Sequence, residues 1–175
     1  NGIFVTESHY LLDILKTTQY DSIYHEHLKY YSLKSIIILL KKYRLKVFHV
    51  ERISNYGGSI RVYVTSLDNK NIKINKSILN LLNLEKKYGL YELETFKNFA
   101  KKIIKTKKDL NKLLLELFLK NKTIYGVGAP GRASTLLNYC SISKLFLPYI
   151  LEQSNCLKLN MLIPGCHIPI IDEKT

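Results

Sequence analysis

An α/β fold is predicted by three features of the 175-residue sequence. Adjacent segments in the first half alternate in hydrophobicity at strand period, their neighbours repeat at helical period, and a glycine-rich turn later joins a strand candidate to a helix candidate. Residues 2–6 form a short apolar strand candidate, and residues 11–15 read as a short helix. Ser32 can cap a helix over residues 33–43, where Leu33, Ile36, Ile37 and Leu40 recur at helical spacing. Residues 46–52 alternate Val47, His49 and Glu51 against Phe48, Val50 and Ile53, a strand pattern. Residues 56–58 (Tyr-Gly-Gly) turn the chain, and residues 59–65 alternate again, with Ile60, Val62 and Val64 on one side. The two strands are close enough in sequence to pair antiparallel.

Residues 68–71 make a polar break, and helical patterns then run over residues 74–119, interrupted near Tyr88-Gly89. A second unit follows: a strand over 122–127, a turn at 128–131, a helix over 133–139, and strands near 147–151 and 168–171. This is the opening of a nucleotide-binding βαβ arrangement. The expected organisation is a first domain at 1–70, a helical connector at 71–120 and a partial Rossmann-like domain at 121–175. Each end carries too few strands to complete a sheet, so both read as truncated.

Composition narrows the class. Hydrophobic residues make up 46% of the chain, which suits a packed core. No apolar run approaches the roughly 20 residues of a bilayer span, and no basic-then-apolar leader is present. The three cysteines, Cys140, Cys156 and Cys166, cannot all pair, which points to a reduced, cytoplasmic protein with no membrane partner. The net charge of +13 would attract a polyanion, either nucleic acid or a pyrophosphate-bearing ligand. However, Lys101, Lys102, Lys105, Lys107, Lys108 and Lys112 fall largely on one side of a helix, with Ile103, Leu110, Leu113, Leu114 and Leu117 on the other. That is the pattern of a solvated helix face, and no nucleic-acid recognition motif accompanies it.

Two constellations carry chemistry. Gly126-Val127-Gly128-Ala129-Pro130-Gly131 matches G-x-G-x-x-G between a strand and a helix. Its glycines let the backbone turn sharply and approach a phosphate at the helix start. Pro130 suits the first helical turn, Arg132 could add a cationic contact, and Glu152 stands where an acid would bind a ribose. Taken alone, this loop supports a nicotinamide-dependent oxidoreductase. The second constellation is Asp21-Ser22-Ile23-Tyr24-His25-Glu26-His27. Histidine titrates near neutrality and suits removal of a proton beside a carbonyl, while Tyr24, Tyr30 and Tyr31 could bind an enolate oxygen or flank a sugar ring. His25 and His27 lack the further ligands of a zinc site, so no metal is expected.

Four segments, in one order, resemble the sugar C-methyltransferases that act on nucleotide-linked ketosugars. They are Tyr24-His25-Glu26-His27-Leu28 followed by Tyr31-Ser32-Leu33; Tyr56-Gly57-Gly58-Ser59-Ile60-Arg61-Val62; residues 126–140, GVGAPGRASTLLNYC; and Pro164-Gly165-Cys166-His167-Ile168-Pro169-Ile170. The resemblance implies an α/β chain made of the end of a class I methyltransferase sheet, a helical connector and a Rossmann-like domain for the sugar nucleotide. It implies His27 as the base, Tyr24 and Glu26 in the same pocket, and His25 as a further catalytic candidate. Gly126, Gly128, Pro130, Arg132, Asn138 and His167 would contact or shape the site for the nucleotide-diphosphate ketosugar. His27 would remove the proton next to the ketone, and the enolate would take the methyl of S-adenosylmethionine.

The sequence departs from that family in lacking its zinc-binding cysteines and the acidic glycine-rich turn that holds the methyl donor. The expectation is therefore a fragment, inactive in methyl transfer by itself, that works with a missing N-terminal half or a separate donor-binding chain. A sugar-nucleotide-binding module without catalysis is the alternative from the binding class.

Overall fold

The computed structural model describes residues 2–175 and gives a mixed α/β chain with two three-stranded sheets. The chain forms two units. One comprises the residues through Gln19 together with His27–Ala100; the other comprises Tyr20–Glu26 and Lys101–Thr175.

The first unit is built on β1 (Ile3–His9), β2 (Leu45–Ile53) and β3 (Ser59–Ser66), with β3 central and antiparallel to both neighbours. The alternation of residues 59–65 has its expected result: Ile60, Val62 and Val64 point to one face and are fully buried. Each such burial contributes roughly 1.5–3 kcal/mol. In β2 the simple alternation fails. The register shifts between Val47 and His49, so Phe48 is an extra residue, and Val47 and Val50 both reach the core although three positions apart. This is the parity change a β-bulge produces. The register aligns His9 with Ser59 and Ser59 with Ile53, which places the carboxyl ends of β1 and β2 at the same end of the sheet.

Helices α1 (Leu11–Thr17), α2 (Leu33–Lys41) and α3 (Lys76–Tyr88) belong to this unit. Ser32 caps α2 by accepting from the Ser35 N–H, while the Ser35 hydroxyl accepts from the Ser32 N–H. A second group serves the same helix end. Glu85 of α3 is fully buried and accepts from the Leu33 N–H at 2.6 Å, the Tyr10 hydroxyl at 2.9 Å and the Tyr91 hydroxyl at 2.5 Å. A buried carboxyl group is tolerated where several donors meet it. Burial and the neighbouring Glu85 push the Tyr10 and Tyr91 hydroxyls well above the usual tyrosine pKa.

Gly89 ends α3 in the left-handed conformation, at the interruption read from Tyr88-Gly89. Helix α4 (Leu93–Leu119) then runs from the first unit into the second. Residues 71–120, expected as a connector, are thus shared: Ile78 and Leu81 of α3 enter the first core and Leu114 of α4 the second. Leu113 does not join the inward stripe of α4; its side chain is exposed. Lys107, counted with the solvated lysines, instead donates to the Tyr139 carbonyl at 2.6 Å. Among the described residues no helix is long and apolar enough to cross a membrane.

The second unit has three short parallel strands, β4 (Tyr125–Val127), β5 (Tyr149–Glu152) and β6 (Ile170–Asp172), with β5 central. Helix α5 (Gly131–Cys140) follows β4 directly and packs Leu137 and Cys140 with Ile150, Ile168 and Ile170. A 3-10 turn at Tyr20–Ser22 also belongs here, its buried Tyr20 edge-on to Tyr139 and its hydroxyl 3.4 Å from the Cys140 Sγ.

Candidate functional site

The Tyr-His-Glu-His segment is divided by the unit boundary, which falls between Glu26 and His27. His27, in the first unit, is half-buried and is not sealed in apolar packing. Its ring stacks on His9, with centroids 4.4 Å apart and planes inclined by 30°, and Tyr30 lies 6.5 Å away. His9 ends β1, so the sheet fixes the platform on which the His27 ring rests. Sequence reasoning passed over His9 because a lone histidine at a strand end has no motif around it.

Tyr24, His25 and Glu26 belong to the second unit. The Tyr24 hydroxyl donates to Glu26 at 2.9 Å, and the His25 ring stands edge-on to Tyr24 at 5.6 Å, itself exposed. The same two side chains lie against the glycine loop. A methyl group at Gly131 would sit 3.4 Å from Tyr24 Cε2 and 3.8 Å from Glu26 Oε1. The structure therefore joins part of one constellation to the other within a single unit.

The glycine loop keeps its expected strand–turn–helix context. Gly126 has no room for a side chain, since a Cβ would come within 2.9 Å of Ile150, whereas one at Gly128 would meet only ordinary contacts, Glu152 and Pro130 at 3.9 Å, and glycine is favoured there by its φ of +81°. Pro130 is the N-cap of α5. Arg132 is not a free cation. Its Nε and Nη2 donate to the two oxygens of Asp21 at 2.6 and 2.8 Å, which holds the guanidinium above even its ordinary pKa. A different cation stands at the loop: Lys158 Nζ donates to the Ala129 carbonyl at 2.6 Å. No sequence pattern marked Lys158, because an isolated lysine in a loop resembles any surface lysine.

Asn138 donates to the Pro164 and Ser134 carbonyls, and its side chain fills the space beside Gly165, so it anchors the 164–167 turn. His167 is exposed on that turn with a φ of +53°, and its N–H donates to the Ile163 carbonyl. Among the described residues no three His, Cys, Asp or Glu side chains are grouped to hold a metal ion.

Stacked imidazoles thus stand at the end of β1 in one α/β unit, and in the other a glycine loop lies against Tyr24 and Glu26. Residues 54–175 match the C-methyltransferase C-terminal domain, and the chain belongs to that family. The chain is also similar to the C-methyltransferase NovU of Streptomyces niveus, with 30% identity over 170 residues, covering 97% of this chain and 40% of that relative. The chain thus spans 40% of the relative's length.

Proposed function

We propose that this chain is the acceptor-handling part of an S-adenosylmethionine-dependent C-methyltransferase acting beside the ketone of a nucleotide-linked ketosugar. Its two units would correspond to the end of a class I methyltransferase sheet and a partial Rossmann-like domain. The observation that carries the reading is the half-buried His27 imidazole held by a ring stack on His9 at the end of β1. A base of this kind removes the proton from the carbon next to the ketone. The C–H electron pair passes into the carbonyl, giving an enolate with its charge on oxygen, and the proton resides on the imidazole. In the second unit, the backbone at Gly128 and the ammonium of Lys158 suit a diphosphate. The enolate carbon is the methyl acceptor, and the donor is held by residues outside those described, on a preceding segment or a partner chain.

Proton removal needs no methyl donor, so it is testable on this chain. Incubation with a nucleotide-diphosphate 4-ketohexose in deuterium oxide should incorporate deuterium beside the ketone faster than the uncatalysed rate, and His27→Ala should abolish the gain. Incorporation at the uncatalysed rate in the wild type, or at the wild-type rate in His27→Ala, removes His27 from the mechanism. A nicotinamide-dependent oxidoreductase is the second reading, favoured by Glu152, whose Oε1 lies 3.9 Å from where a Gly128 side chain would begin. Titration of NADH against a thymidine diphosphate sugar distinguishes the two by which ligand binds more tightly.

A further inference from the structure

A cleft of about 390 Å³ opens in the first unit, lined by Asp13, Arg52, Ile53, Ser54, Gly57 and Gly58. That volume lies within the roughly 300–1,000 Å³ typical of small-molecule sites. Its position follows from the strand register. Ile53 and Ser54 continue the carboxyl end of β2, and Gly58 precedes Ser59, the residue paired with His9. The cleft and the His9–His27 stack therefore lie at the same end of one sheet, the end where β1 and β2 finish.

The lining combines two glycines with an ion pair. Gly57 and Gly58 have φ values of +83° and +126°, and a side chain on Gly58 would run into Asp13, while one on Gly57 would run into the Gln19 amide. That amide in turn donates to the Gly57 carbonyl at 2.7 Å and steadies the turn. Asp13 has a side chain 9% exposed and receives a hydrogen bond from Arg52 Nη2. Arg52 is 43% exposed, and its guanidinium also lies 5.9 Å from the Tyr10 ring centre. The pair neutralises itself. A fully charged ligand would have to compete with an existing ion pair, whereas a neutral hydroxyl can accept from the guanidinium and donate to the carboxylate without separating them.

We propose that the Asp13–Arg52 cleft binds vicinal hydroxyl groups of a hexose, and so selects the sugar ring rather than its nucleotide. The choice of a hexose rests on the function proposed above; the site itself rests on the cleft and its ion pair. Amide resonances of the ¹⁵N-labelled chain test it, with thymidine diphosphate glucose and thymidine diphosphate as the two probes. The sugar nucleotide should shift Ser54, Gly57 and Gly58, and thymidine diphosphate should not. Asp13→Asn and Arg52→Gln should each weaken the sugar nucleotide about tenfold, the loss expected for one hydrogen bond to a charged group, and leave thymidine diphosphate within about twofold.

Identical shifts from both probes, no shift at these three residues, or variants that bind both probes like the wild type would overturn the proposal. The wild-type shift map decides the matter even if a variant fails to fold. Shifts in the cleft without deuterium incorporation would leave this site standing and remove the catalytic reading. Incorporation without the shifts would do the reverse.

Discussion

The two units solve the same problem with unequal means. The first pairs strands of seven, nine and eight residues, fully buries Ile60, Val62 and Val64 of β3 and ties three elements to a single buried glutamate. The second pairs strands of three, four and three residues and covers one sheet face, with Ile150 and Ile170 buried. On its other face Val127 remains 83% exposed and Tyr125 50% exposed. Parallel sheets are ordinarily covered on both faces. The difference teaches that the longer strand ladder lies under His9, on which the proposed base stacks, while the glycine loop sits on a short sheet with one face left bare.

The sharpest way to break that contrast is Glu85→Ala. Removing the buried carboxyl group strands the Tyr10 and Tyr91 hydroxyls and a helix N-terminal N–H, at an expected cost of about 3 kcal/mol. Glu85→Gln should recover part of the loss. Hydrogen exchange checks this: β1, α2 and α3 should lose protection while α5 and β5 keep theirs. Equal loss in both units would mean that they do not differ in the way described.

Next in size is His27→Ala, which should slow deuterium incorporation by roughly 100-fold with little change in sugar-nucleotide affinity. A change in affinity alone would reassign His27 to binding. Gly128→Val acts in the second unit. Nothing near Gly128 blocks a side chain, so the effect comes from the left-handed φ and from barring phosphate approach, and sugar-nucleotide affinity should fall about tenfold. Unchanged affinity by calorimetry would make the loop purely structural.

The smallest effect is a pH dependence at the alkaline end. Tyr10, Tyr20 and Tyr91 all have raised pKa values, chiefly through burial, with Glu85 or Cys140 adding to it. A raised folded-state pKa gives stability that is complete below the unfolded value of about 10 and is lost as pH rises above it. Ultraviolet titration should therefore show three of the 13 tyrosines resisting ionisation until the chain unfolds. Smooth titration of all of them near pH 10 would count against the burial described for Tyr10 and Tyr20.

What the sequence revealed, and what it hid, follows the range of the interactions. Ile60, Val62 and Val64 announce their strand because alternation is local, and Gly89 announces a helix end because its conformation is its own. The bulge at Phe48 escaped, since one inserted residue leaves the composition of a strand unchanged. Glu85 lies in Leu84-Glu85-Lys86-Lys87 and reads as solvated charge; only Tyr10, 75 positions away, makes it a buried anchor. Arg132 read as a phosphate contact because its partner Asp21 is 111 positions distant. Tyr24, Glu26 and His27 were recognisable as a group, yet nothing in seven contiguous letters revealed that the boundary between units passes through them.

That boundary bears on how the gene can be cut. The family match begins at residue 54, between β2 and β3, yet the second unit takes Asp21 and Tyr20 from far upstream as partners for Arg132 and Cys140. An expression clone trimmed to the matched region would discard both partners together with His27, and would ask α5 to fold with an orphaned guanidinium. Segment exchange between homologues faces the same obstacle: a crossover anywhere from residue 27 to 131 inherits Asp21 from one parent and Arg132 from the other, so those two positions must be swapped as a set.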